Sequence, residues 1–421
     1  MATRSSDVET GLERGCSATG LNEETTLDSD NRLVAITVPG HPLSMGDYRH
    51  TLHHWLRWQH QKECYFVVGD LQLRLLDNTC EDVSESALSR VVDLLAAGVE
   101  PGAATLVLES KVSELSELQL LFSGSVSRSW LERAARLEND KESISWAEAS
   151  VSLLRAASIL GLRASRVFAK DETISSLELS RQIARRFNHL YGREDDFESN
   201  AEAAIKKLGK KTGKLYKELR KAYRSHGDGD ALETARALVQ EQSNLTLSDQ
   251  ERLLGYLEGT GVAILSEPDR MDDYSDAANE APHPELAADH PLFLIPMLAK
   301  PEQIDKKVRK IPTDPARAHA TDAGNPDHCE VWRLHEEYTL EEARSEIESQ
   351  CRAGSLGCAE CKRRVSDRLA EVFEPMRLKA ERYQQDRELV LGLIADAAEE
   401  SRNDIRPTLD AVRSALDLDY R

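Results

Sequence analysis

The chain has 421 residues, 40% of them hydrophobic, which is enough for two or three domains with real cores. Its formal charge of −20 excludes a wholly basic nucleic-acid binder, so any nucleic-acid contact has to come from a local patch. No apolar stretch approaches membrane-spanning length and the N-terminal region lacks a signal-peptide core, so no membrane association and a cytoplasmic location are expected.

In a reducing compartment the seven cysteines read as thiols or metal ligands rather than disulfides. Residues 1–31 carry Ser, Thr, Glu and Asp with almost no apolar periodicity and predict a disordered tail, with Cys16 as an incidental thiol. Leu33–Val38 is a β-branched apolar run stopped by Pro39, Gly40 and Pro42. Ser44-Met45-Gly46-Asp47 then opens a helix with Leu52, Trp55 and Leu56 on one face. Such a strand, turn and helix N-terminus is the unit with which α/β proteins meet phosphates, and Gly46 would admit a ligand close to the backbone. The plainer reading makes Ser44-x-x-Asp47 a capping box and nothing more.

Tyr65–Val68 predicts a second strand, placing Asp70 at its C-terminal end, where ligands of open parallel sheets gather. Ala104–Glu109 and Val167-Phe168 predict two more strands. Helices are expected at Ser84–Ala97, Leu115–Phe122, Ser129–Leu137, Ala147–Leu160 and around Leu179–Leu190. The alternation predicts an α/β fold with a doubly wound parallel sheet. Cys64 reads as a core residue of the second strand and Cys80 as an incidental thiol.

Beyond Arg193, one helix is expected to carry Lys206, Lys207, Lys210, Lys211, Lys214, Lys217, Arg220, Lys221 and Arg224 against the single acid Glu218, with Tyr216 and Tyr223 interleaved. On so acidic a chain this is a local positive stripe, readable as an RNA-backbone contact. The alternative is a solvated face on a helix packed through Ile205, Leu208, Leu215 and Leu219. Glu267–His290 is acidic and reads as a mobile linker. Cys329, Cys351, Cys358 and Cys361 crowd one short stretch, the last two as Cys-Ala-Glu-Cys. Four thiolates suit a [4Fe–4S] cluster or a structural zinc, and the two isolated ligands fit zinc knuckles less well. Val365–Leu418 reads as helical, with Leu369, Val372, Phe373 and Met376, then Leu389, Leu393 and Ile394, supplying apolar faces.

RQIARRFNHLYGRE (Arg181–Glu194), AIKKLGKKTGKLYKELRKAY (Ala204–Tyr223), IPTDPARA (Ile311–Ala318), LLAAGVEP (Leu94–Pro101) and the terminal ALDLDYR together resemble tryptophanyl-tRNA synthetase in its longer proteobacterial form. The resemblance runs in order from about Leu33 to Arg421. It implies a class I synthetase with a Rossmann-type parallel sheet, a helical insertion, a mostly helical C-terminal domain, tRNA as partner and a homodimer, or a heterodimer with a synthetase. The implied division is 1–31 tail, 32–200 nucleotide and amino-acid domain, 201–261 basic helical insertion, 262–310 linker with the remnant of the signature loop, and 311–421 helical anticodon-side domain with the four cysteines. Some members bear a similarly spaced four-cysteine [4Fe–4S] set, which favours the cluster over zinc. The RNA contact then falls to Lys207, Lys210, Lys211 and Lys214.

The departures lie where that family does its chemistry. The ATP signature corresponds to Ser44-Met45-Gly46-Asp47, in which Asp47 puts a carboxylate beside a triphosphate site and makes ATP binding doubtful. The Lys-Met-Ser-Lys-Ser loop corresponds to Leu286-Ala287-Ala288-Asp289-His290, which has no lysine. The indole-N acceptor, an Asp in the family, is Ser158, and a Tyr earlier on that helix is Val151. The Gly-Glu-Asp-Gln run is Lys170-Asp171-Glu172-Thr173, and the Asp-x-His-Ala run keeps only Asp70. These changes point to a tRNA-binding paralogue with lost or altered amino-acid activation. One alternative is an enzyme repurposed for another small acid or for charged tRNA, and another is an active tryptophan–tRNA ligase with divergent signatures.

Overall fold

The computed structural model describes residues 31–139, 144–168, 171–192, 196–226, 228–259, 263–271, 290–317, 319 and 321–420. Apart from Asn31, the expected N-terminal tail lies outside the described residues, as do Leu286–Asp289 of the stretch matched to the Lys-Met-Ser-Lys-Ser loop.

Five strands, β1 (Arg32–Thr37), β2 (Glu63–Val68), β3 (Ala104–Leu108), β4 (Arg166–Phe168) and β5 (Asp269–Arg270), form one sheet in the order β3-β2-β1-β4-β5. Every pairing is parallel, with Val34 opposite both Tyr65 and Val167. The order reverses at β1, so the crevice beyond its C-terminal end is the topological switch point of a doubly wound fold. Both faces are covered, which is why the strands read as continuous apolar runs rather than alternating ones. The two-residue β5 falls within the acidic stretch read as a linker. Its place in the sheet comes from main-chain bonds, Asp269 N–H to the Ser165 carbonyl at 2.8 Å and Met271 N–H to that of Val167 at 2.9 Å, which no side-chain pattern announces.

Successive strand residues feed two cores. Leu33, Ala35, Phe66 and Val68 pack with the helix Val83–Ala97 and with Ile304, Leu369 and Phe373 from the C-terminal region. Val34, Tyr65, Val67 and Val107 pack with helices Ser113–Ser123, Trp146–Gly161 and Asp171–Tyr191 on the other face. The last helix, Arg387–Ala415, lays Ile405, Leu409 and Val412 into that second core. It is pinned there by the Tyr65 hydroxyl donating to Asp404 at 2.9 Å and by Arg413 on Glu117 at 2.7 Å. The C-terminal helices are thus part of the sheet's cover. Within that helix Val390 and Ile394 face inward while Leu389 is 47% exposed, so the apolar register begins one residue later than expected.

The basic stretch is two helices rather than one. Phe197–Lys207 ends at Gly209, whose φ of +81° suits glycine, and Lys210–His226 starts afresh. A side chain on Gly213 would stand 2.9 Å from the Ile205 carbonyl, so this glycine lets the two helices close on each other. With Gly229–Gln240 and Leu247–Glu258 they enclose a separate core of Ile205, Leu208, Tyr216, Val239, Leu253 and Leu257. Tyr216 is fully buried, its hydroxyl donating to the Leu253 carbonyl at 2.5 Å, and Leu215 is 44% exposed: the inward position is taken by the aromatic neighbour.

Candidate functional site

The β1 turn ends in a true N-cap. Ser44 Oγ accepts from Asp47 N–H at 2.9 Å, while the Asp47 carboxylate accepts from Ser44 N–H at 3.0 Å and from Ser44 Oγ at 2.8 Å. The helix then passes through a π segment, Tyr48–Leu52, before one more α turn at His53–Leu56, where a single regular helix was expected. Met45 N–H is spent on the Ile295 carbonyl at 2.8 Å, and Met297 N–H returns to the Leu43 carbonyl at 2.7 Å. A Cβ on Gly46 would lie 2.5 Å from the Phe293 ring. The bare backbone that could meet a nucleotide is therefore packed under an aromatic side chain from the segment just after the lysine-free loop. The positive end of the helix is faced by its own carboxylate rather than left for a phosphate.

Beneath the turn lies a polar cluster that the sequence did not announce. Arg90 donates to Thr37 Oγ1 and, at 2.6 Å, to the His41 carbonyl, and Asp93 accepts from Leu43 N–H at 3.2 Å. Burial pushes the Asp93 carboxyl up to about 6, against the pull of its bond from Leu43. Arg90 and Asp93 sit one turn apart on Val83–Ala97; a charged pair in a helix otherwise rich in Val and Leu was the available signal.

The other side of the crevice is built from the ends of β2 and β3 and from Trp146–Gly161. Asp70 Oδ1 accepts from Leu71 and Ser110 N–H, both at 3.0 Å. Ser158 is fully buried and donates to Glu109 at 3.3 Å, and Val151 is 1% exposed. Gln72 links the two sides, donating to Glu109 at 2.6 Å and accepting from Arg155 Nε at 2.8 Å. Among the described residues Glu109 Oε2 has no hydrogen-bond partner, and burial, reinforced by Asp70, drives this carboxyl up to about 7. Thus Asp70 and Ser158 are brought together around a residue not singled out from sequence. The signal was the acid closing the otherwise apolar ATLVLE strand. Thr173 lies in the first turn of Asp171–Tyr191, with no described side chain.

The four cysteines line one cavity with Asp314, Arg317 and Gly324. Cys329 precedes the helix Glu330–Tyr338, Cys351 lies in the last turn of Glu341–Arg352, and Cys358 and Cys361 share the first turn of Cys358–Val372. Gly324 leaves room for a sulfur, since a Cβ there would stand 2.7 Å from Cys351 Sγ. Asp314 spends both oxygens on backbone, accepting from Ala316 N–H at 2.9 Å and Asn325 N–H at 2.7 Å, and so holds the loop leading to Cys329 without competing as a ligand. Burial raises the Cys361 thiol to about 12, and its sulfur lies 3.3 Å from His335 Nε2. Among the described residues no three Cys, His, Asp or Glu groups stand at metal-ligating separations, so the thiols share a cavity without yet converging.

Of the lysines proposed for RNA, Lys210, Lys211 and Lys214 are exposed along Lys210–His226. Lys207 differs: it ends the preceding helix and its ammonium binds the buried Asp249 at 2.6 Å, tying two helices of the insertion together. No described helix is long and apolar enough to cross a membrane.

Residues 30–239 match the family described as class I tRNA synthetases (W and Y). The chain is 38% identical over 396 residues to a tryptophan–tRNA ligase of Ralstonia nicotianae, covering 92% of this chain and 99% of that protein. It is 25% identical over 398 residues to the corresponding ligase of Thermotoga maritima, with 92% and 99% covered. Among solved structures it is similar to tryptophanyl-tRNA synthetase from Campylobacter jejuni complexed with ADP and tryptophan. That match has a TM-score of 0.66 at 14% identity, covers 92% of this chain and all of the other, and speaks to the fold alone.

Proposed function

The chain belongs to the tryptophan–tRNA ligase family of class I synthetases, and on that premise we propose that it binds tRNA while its tryptophan activation is lost or altered. The observation that carries this reading is the turn at Ser44–Asp47, where Phe293 covers Gly46 and the Asp47 carboxylate faces the helix end that a nucleotide would need. The lysine-free Leu286–His290 loop supports it, because adenylate formation stabilises growing phosphate charge with cations. Ser158 in place of an acidic indole acceptor supports it from the amino-acid side. An active tryptophan–tRNA ligase with divergent signatures is the second reading. Similarity along 99% of a named ligase favours it, and taken alone the comparisons support it better than loss of activity.

The deciding experiment is tryptophan-dependent pyrophosphate exchange beside binding of unfractionated tRNA. Each missing charged contact is worth about 2–4 kcal/mol in the transition state, so exchange several orders of magnitude below an active synthetase is expected, with tRNA bound. Robust exchange establishes the second reading.

Two further parts belong to this proposal. The donor set of Cys329, Cys351, Cys358 and Cys361 fits a [4Fe–4S] cluster, or zinc as the alternative, because four soft thiols surround one cavity whose carboxylate is already engaged. The bound group would supply folding energy to the C-terminal helices. A dimer would cover Leu120 and Trp146, apolar side chains 70% and 68% exposed on two packed helices. Solution mass by light scattering tests it.

A further inference from the structure

We propose that the concavity between the helical insertion and the sheet's helices seats one unstacked nucleotide of a bound RNA. The proposal rests on the tRNA-binding reading and gives it a place. The cavity, about 490 Å³, opens between the helix Asp171–Tyr191 and the insertion. That is a ligand-sized volume. Trp130 and Tyr223 contribute aromatic rings to its wall, and Arg186 and Arg224 contribute guanidinium groups.

Two of its four arginines are ion-paired, Arg185 with Glu267 at 2.7 Å and Arg236 with Glu258, and the charge left over is that of Arg186 and Arg224. Glu258, the only acid among the lining residues, is gripped by Arg236 at 2.7 and 3.1 Å. Arg224 donates to the Glu258 carbonyl at 3.0 Å, a neutral acceptor that orients the guanidinium while leaving its charge in place. Gly259, at φ +78°, keeps this arrangement possible, since a Cβ there would overlap the Arg224 guanidinium. Arg186 is exposed and has no hydrogen-bond or ion-pair partner among the described residues. Planar guanidinium groups bind phosphate through paired N–H bonds, and aromatic faces accept any base by stacking.

The surroundings favour an RNA strand over a free nucleotide. Lys210, Lys214, Lys217, Lys221 and Arg224 follow one another at helical spacing along the exposed side of Lys210–His226, and the last of them is in the cavity wall. From Lys210 to Arg224 the row extends roughly 21 Å, a track for several phosphates that leads to the seat. A base turned into the cavity would stack on Trp130 or Tyr223 while the strand runs back along the lysines.

Fluorescence anisotropy with the full chain tests this, using an oligouridylate of about eight nucleotides, a blunt RNA duplex, UMP and unfractionated tRNA. The oligouridylate is expected to bind at least about tenfold more tightly than the duplex, and UMP only weakly. Arg186→Ala/Arg224→Ala and, separately, Trp130→Ala should each weaken the oligouridylate by about tenfold or more, with Trp130→Phe restoring most of the loss. Circular dichroism checks that each variant is folded. Lys214→Ala/Lys217→Ala, away from the cavity, should reduce the salt slope by about one to two while keeping the preference for single strands. Equal binding of duplex and single strand, or unchanged affinity in the cavity variants, overturns the seat. UMP binding as tightly as the oligomer overturns its assignment to RNA. If tRNA binds the wild type and the cavity variants alike, this inference fails and the tRNA-binding reading stands; if the wild type binds no tRNA, both fail.

Discussion

The turn at Ser44–Asp47 and the cavity of the insertion are both places where a synthetase-like chain could meet phosphate, and they are built in opposite ways. At the turn, Met45 N–H goes to the Ile295 carbonyl, Asp47 N–H to Ser44 Oγ, and the Gly46 face to the Phe293 ring. At the cavity, Arg224 is steered by a neutral carbonyl and Arg186 is left to solvent. A family fold can therefore persist through packing while its polar groups are reassigned. The site that looks inherited has its Met45 and Asp47 N–H donors satisfied internally, and the helices that look like an appendage keep charge available on Arg186 and Arg224.

The comparison can be broken at several points. The largest effect is expected at the cysteines, in the region that meets the Ser44–Asp47 helix through Arg49 and Glu337, 3.0 Å apart. Protein purified without oxygen should be brown, with roughly four irons per chain. Cys361→Ser should lose the colour and melt the C-terminal helices first, since structural metal contributes on the order of 10 kcal/mol to folding. Stoichiometric zinc in place of iron would keep a four-thiolate site and discard the cluster.

Next is the basic helix. Replacing exposed Lys210, Lys211 and Lys214 by Glu should weaken tRNA binding by about a hundredfold or more and flatten its salt dependence, measured by filter binding across a salt series. Lys207→Glu should instead destabilise the insertion, because Asp249 would lose its cation. Unchanged tRNA binding in the triple variant would reduce the row to a wetted face.

A smaller effect, confined to the alkaline side of the pH scale, is expected from Glu109. Its carboxyl titrates near 7 in the folded chain, above its value when unfolded, so the unfolded state releases the proton first as pH rises. Stability is full below the unfolded value and falls as pH climbs towards and past about 7. Glu109→Gln should accordingly add up to about 3 kcal/mol of stability at alkaline pH, read as a higher melting temperature, and change little in acid. A gain that does not vary with pH would remove the buried carboxyl from this account. Milder still, Asp47→Asn keeps an oxygen that accepts from Ser44 N–H while removing the charge, and should bring weak ATP binding into the range that equilibrium dialysis reads, where the wild type shows none.

Much of this was legible in the sequence because periodicity and turn chemistry report backbone. Val34, Tyr65 and Val107 announced their strands, and Ser44-x-x-Asp47 its cap. The two-residue β5 was hidden because edge pairing is a main-chain matter, and the break at Gly209 because lysines run on either side of it. In the site, Asp70, Val151 and Ser158 could be placed by resemblance, but Glu109, Gln72 and Arg155 could not. Their bonds cross from strand ends to a helix, and no local spacing records which distant partner a buried polar group finds. Phe293 was equally silent, a single apolar residue whose meaning comes only from the glycine beneath it.

Equilibrium dialysis of ATP against the wild-type protein tests the central claim directly, since that claim is that the chain's own groups occupy the nucleotide seat. The account predicts no saturable binding up to millimolar ATP, and Phe293→Ala/Asp47→Asn should uncover some. Saturable binding of ATP to the wild type at micromolar concentration would contradict it.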